Sequence, residues 1–240
     1  MHVSLYNRMP GKLVNSALLR CLAIFGFLGF GLEVATSLET ESNPPAVASL
    51  DSGDIDDFET FPSGVRSLLE ICLSLTKQNL GYKFGSSDPT AGGMDCSGTV
   101  YHVLQAAGIT DVPRTSSEQY VWVRKAGTFE TVISRKMESF ELDAMRPGDL
   151  LFWTGTYSTD QEPPVSHTMI YLGKRRSDGK QIMFGATEGR TYDDRKIYGV
   201  SVFDFKTSRT AQKPETGEAA KSGSNFIGYA RIPALDHVNR

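Results

Sequence analysis

The sequence predicts an α+β domain, N-terminal helices packed on a mostly antiparallel sheet, over residues 61–235. Three observations carry this. Apolar residues recur at helical spacing in the first half. Short β-forming runs separated by turn residues fill the second. No internal repeat or second core interrupts that order.

Taken from the N-terminus, residues 1–37 read as a secretory signal. Arg8, Lys12 and Arg20 form a positive region, CLAIFGFLGFGL (21–32) an apolar one, and Ala35-Thr36-Ser37 a cleavage site. Twelve apolar residues fall short of the roughly 20 that span a bilayer, so no stable membrane insertion is expected once the signal is removed. Arg20 stands before Cys21, where a lipid-attachment motif wants a small residue. Residues 38–60 are acidic, contain Pro44-Pro45 and lack periodicity, so a linker or loosely held arm is expected. Asp54, Asp56 and Asp57 lack the glycine turn and terminal glutamate of a calcium loop and read as solvated acids.

Order is expected from Phe61. Val65, Leu68, Leu69 and Cys72 fall on one helical face, which makes Cys72 a buried, inert thiol, and Gly81 is expected to end that helix. YKFGSSDPTAGGMDCSG (82–98) is a loop rich in Gly, Ser, Asp and Pro. A second helix places Cys96, Val100, Val103, Leu104 and Ala107 on one face and stops at Gly108. Thr115 and Glu118 form a capping box for a third. The strands follow. RPGD (146–149) turns into LLFWTG, VSHTMIYLG (165–173) alternates, Asp178-Gly179 closes a hairpin to QIMFGATEG (181–189), and YGVSVFDF (198–205) and FIGYARIP (226–233) are two more. The polar stretch between the last two, 206–225, is expected to be a flexible loop.

Composition narrows the function. Net charge is −3, with no basic stripe for nucleic acid. After signal removal only Cys72 and Cys96 remain, too few for a disulfide framework, so a packed core must hold the fold. No Cys-x-x-Cys, His-Glu-x-x-His or phosphate-cradling glycine motif occurs, so neither metal nor cofactor is expected. A monomer is expected.

Chemistry concentrates at Cys96. Asp95 is the expected N-cap, which puts Cys96 at the first helical position, facing unpaired N–H groups and the positive end of the helix dipole. These favour a thiolate, and with a histidine partner can lower a thiol pKa by several units. The same amides can form an oxyanion hole. A lone cysteine on an apolar helix face is more often core, so Cys96 needs a base. His102 lies six residues on and points elsewhere, His2 is in the signal, and His237 is near the end of the chain. His167, in a strand, is left by elimination.

The motifs now form a set. YKFG (82–85), MDCSGTVYHV (94–103), VPRTSSEQ (112–119), MRPGDLLFW (145–153) and SHTMIYLG (166–173) occur in the order and spacing of the NlpC family of papain-like cell-wall cysteine peptidases, which the chain resembles over residues 82–173. The resemblance implies a papain-like fold and a secreted or periplasmic location. It implies Cys96 as nucleophile and His167 as base then acid. Tyr82 is implied near the scissile carbonyl, with Asp95 and Ser97 on the substrate's amino group or diamino-acid end. The implied substrate is a peptidoglycan stem peptide, cut between γ-D-glutamyl and diamino acid. One position departs. Where the family usually carries a third polar residue, this chain has Gly185. Thr187 shares its face by period 2. Glu188 is the better acceptor and the expected orienter of His167, given a bulge at Gly185 that turns it inward, the alternative being that no third group exists. Two other readings stand beside the peptidase: a non-catalytic wall-peptide binder with a decayed site, and an amide- or acyl-transferring enzyme with a different substrate.

Overall fold

The computed structural model describes residues 47–207, 224–233 and 235. The expected signal, the start of the acidic arm, most of the 206–225 loop and His237 lie outside them.

Helix α1 (Ser63–Thr76) buries the face formed by Val65, Leu68, Leu69 and Cys72. Burial pushes the Cys72 thiol well above its ordinary pKa, which leaves it unreactive. Gly81 does not end this helix. The chain leaves it after Thr76 and turns through Asn79, which takes a left-handed backbone (φ 52°). Gly81 instead opens β1 (Gly81–Tyr82), which pairs in parallel with β2 (Gly93–Met94). This pairing closes the Gly/Ser/Asp-rich loop on itself and sets Tyr82 alongside the approach to α2 (Cys96–Ala106). Thr115 caps α3 (Ser116–Lys125) with the expected capping box.

Six antiparallel strands follow. They are β3 (Phe129–Thr131), β4 (Leu150–Thr154), β5 (Val165–Lys174), β6 (Gln181–Tyr192), β7 (Arg195–Asp204) and β8 (Asn225–Ala230), in the order β3-β8-β4-β5-β6-β7. The α+β architecture is the one the sequence predicts. Strand β5 is central and buried on both faces up to Gly173. Strands β6 and β7 run longer than expected because Asp193 and Asp194 both adopt left-handed backbone (φ 49° and 59°) and turn the hairpin without glycine.

The acidic segment is not a loose arm from residue 47 onward. Ile55 and Phe58 are buried, Ile55 bridges to Arg175, and the Ala48 amide donates to Ser201 Oγ at 2.6 Å. Two apolar side chains anchor an otherwise charged stretch. Among the described residues no helix is long and apolar enough to cross a membrane.

Candidate active site

Asp95 is the N-cap that places Cys96 at the first position of α2. Its carboxylate accepts from the Gly98 amide at 2.6 Å and the Gly85 amide at 2.8 Å. Arg114 grips both oxygens (Nη2 at 2.8 Å, Nη1 at 3.1 Å) and also donates to Ser97 Oγ at 3.1 Å. The carboxylate is 6% exposed and committed to these partners, so it holds the helix start rather than presenting an open acceptor. Arg114 lies in the PRTS segment, but its role was not assigned from sequence. Gly98 is required by contact: a Cβ there would sit 2.1 Å from the Ser86 carbonyl oxygen.

The first turn of α3 ties the start of α2 to β5. Ser116 Oγ donates to the Val165 carbonyl at 2.8 Å and Ser117 Oγ to the Pro163 carbonyl at 2.7 Å. Gln119 Nε2 donates to the Ser97 carbonyl at 3.1 Å. Between β5 and β6 the paired residues run from Lys174–Gln181 to Ile170–Phe184 and stop. Beyond that point β5 pairs with β4, and the Thr168 amide faces the Cys96 sulfur. Helix α2 thus begins where the two strands part, with its first residue facing the strand one position along from His167.

The amides of Thr168, Ser97 and Cys96 favour the thiolate, as the helix-start position predicts. They do not prevail. Burial, followed by the negative charge of Asp95, pushes the Cys96 thiol up to about 11. The expected lowering fails because desolvating the anion outweighs the helix-end amides in a site that is only 5% exposed. At pH 7 the thiolate is a fraction on the order of 10⁻⁴, so the sulfur rests as a thiol.

Cys96 opens into a cleft of about 230 Å³ walled by Tyr82, Phe84, Arg114, Tyr157 and Gln161. Burial raises the Tyr82 pKa, with Cys96, Asp95, Glu188 and Tyr157 adding to the rise. The phenol therefore stays a hydrogen-bond donor. Tyr157, unnoticed in the sequence, raises a second phenol on the opposite loop, and the hydroxyl of its neighbour Thr156 hydrogen-bonds Ser166 Oγ at 2.7 Å. His102 acts on Asp88, away from the thiol.

The position of the missing third residue has a steric account. A Cβ on Gly185 would lie 2.8 Å from Met169 Cγ, and Met169 is fully buried. Its side chain occupies the space a side chain at 185 would need. A bulge exists, but between Thr187 and Arg190 rather than at Gly185. Glu188 remains exposed there, on the Tyr82 side of the site, which corrects the inward turn expected for it. Thr187 is buried and its Oγ1 accepts from the Gly189 amide at 3.4 Å. The one-residue slip instead carries Arg190 onto the face of Gly185 and Thr187, 5% exposed.

Comparison with known proteins identifies the family and one structural neighbour. No curated protein gives a match. A crystal structure from Staphylococcus aureus, described as similar to a lipoprotein of the NLP/P60 family, aligns at 24% identity with a TM-score of 0.37. It covers 69% of this chain and 46% of that one, under half its length. The NlpC/P60 family model matches residues 79–200, from before Tyr82 to beyond His167, and the chain therefore belongs to the NlpC/P60 family.

Proposed function

We propose that the protein is a secreted or periplasmic cysteine peptidase that hydrolyses amide bonds in peptidoglycan stem peptides, of the γ-D-glutamyl–diamino acid type. The family consists in general of cysteine peptidases acting on cell-wall peptides. The observation that carries the reading is Cys96 itself: a thiol at a helix N-terminus, lining a cleft, met by the Ser97 and Thr168 amides one residue from His167.

In the reaction His167 takes the Cys96 proton as the sulfur attacks the scissile carbonyl carbon. The carbonyl oxygen gains the negative charge, within reach of the helix-start amides and the Tyr82 hydroxyl. The carbon–nitrogen bond then breaks, the leaving amine takes the proton from His167, and an acyl-thioester remains. Water, deprotonated by His167, releases the acid and restores the thiol. Because burial holds the Cys96 thiol up to about 11, the proton leaves the sulfur during its attack on the carbonyl and not before. Asp95 and Arg114 hold the helix start, and Ser97, Tyr82 and Tyr157 face the substrate.

The test is incubation of the mature protein with purified peptidoglycan and synthetic stem peptides, followed by mass spectrometry. Cleavage by the wild type and none by Cys96→Ala supports the reading. Equal products from both, or none from either, sinks it. The non-catalytic binding reading draws on the high thiol pKa and on Gly185, and requires stem-peptide binding without turnover.

A further inference from the structure

Three buried side chains sit together on the sheet, and the proposed mechanism uses only one. Trp153 and His167 are paired across β4 and β5. Their rings lie 5.7 Å apart at 61°, an edge-to-face contact. The Arg190 guanidinium carbon lies 4.4 Å from the centre of the Trp153 ring. Trp153 is fully buried, Arg190 5% exposed and His167 6%.

We propose that Arg190, acting through Trp153, is the positioning residue for His167. The Arg190–Trp153–His167 stack holds the imidazole from its indole side. This rests on the peptidase reading of the site. The Thr187–Arg190 bulge turns an arginine, one of the residues least tolerated in a core, onto the sheet face of Gly185. There the guanidinium meets the negative face of the indole, the strongest aromatic partner for a cation. The indole is also held at its sides, by Phe226 at 5.1 Å and Phe205 at 6.4 Å. A ring fixed in this way limits rotation of the imidazole against it, which is the service an orienting side chain gives a base. Met169 fills the remaining space at Gly185, so no side chain from that position competes.

The experiment uses Arg190→Met, which keeps length without charge, and Arg190→Lys, which keeps the cation. With a stem-peptide substrate, Arg190→Met is expected to lower kcat 10- to 100-fold with KM within twofold, and Arg190→Lys to recover most of kcat. A second readout does not depend on turnover. In the histidine-labelled protein, Trp153's ring current shifts the His167 ring protons. Those resonances should move and broaden in Arg190→Met, stay near wild type in Arg190→Lys, and leave His102 unmoved in both. Absence of turnover in the wild type with these shifts intact overturns the peptidase reading and leaves the stack standing. A folded Arg190→Met with wild-type kcat and unmoved His167 resonances overturns the stack. Should Arg190→Met fail to fold, a folded Arg190→Lys with displaced His167 resonances and lost kcat overturns it equally.

Discussion

Gly185 and Met169 define a double-mutant cycle whose sign follows from one contact. A methyl group at 185 would fall 2.8 Å from Met169 Cγ and 3.4 Å from its Cβ and Cε. Gly185 is not among the glycines with positive φ, so the conflict is steric and not conformational. Met169 has no solvent to retreat into, so Gly185→Ala overpacks the sheet and is expected to cost about 1–3 kcal/mol. Met169→Ala removes a fully buried side chain and is expected to cost about 2–5 kcal/mol. In the double variant the new methyl enters the void left by methionine. The total should then fall short of the sum by about 1–2 kcal/mol, the coupling expected of side chains in contact. Urea unfolding at constant m-value measures all four corners. Additivity within about 0.5 kcal/mol would refute the argument that Met169 closes position 185.

Four further outcomes are expected. Gly98→Ala drives a Cβ into the Ser86 carbonyl, backbone against backbone, and should cost more than about 3 kcal/mol; a thermal midpoint within a degree or two of wild type contradicts the contact. Iodoacetamide alkylation of Cys96 should rise about tenfold per pH unit and level off only near pH 11, because burial and Asp95 hold the thiol protonated below that; a plateau near pH 7 would mean the helix-end amides prevail after all. Arg114→Gln strips the ion pair from a nearly buried carboxylate. With the arginine itself 31% exposed, the loss should be about 1–3 kcal/mol in denaturant, and the alkylation midpoint should move further up; an unchanged midpoint shows that Arg114 does not offset the Asp95 charge. Thr115→Ala removes one arm of the α3 capping box and should cost about 1 kcal/mol, read by urea unfolding; no loss means that Glu118 and water suffice.

The helices were legible because their signals are local. The Val65–Cys72 face, the Asp95 cap and the Thr115–Glu118 box each lie within two turns of chain. The placement of Cys96 at a helix start and of His167 within a strand was legible from local pattern. What stayed hidden depends on partners distant in sequence. Strand β3 has three residues and exists only because β8, about a hundred residues on, pairs with it. Residues 47–60 read as solvated because two buried side chains, Ile55 and Phe58, are outvoted by the acids around them. The bulge that admits Arg190 and withholds Glu188 is one slipped residue in a long hairpin whose Asp193–Asp194 turn carries no glycine signal. The thiol pKa is hidden from the sequence for a related reason. Helix position can be read from a cap, whereas the desolvation that outweighs it depends on how β5, α3 and the Tyr157 loop close around the sulfur.

The central claim is that Cys96, with His167 as its base, cleaves an amide of the cell-wall stem peptide. Its most direct measurement is mass spectrometry of a stem peptide incubated in parallel with wild type, Cys96→Ala and His167→Ala. The account requires a new amine and a new carboxylate from the wild type, no product from Cys96→Ala, and at most a trace from His167→Ala. Unchanged peptide in all three tubes, or the same products from Cys96→Ala as from wild type, contradicts it.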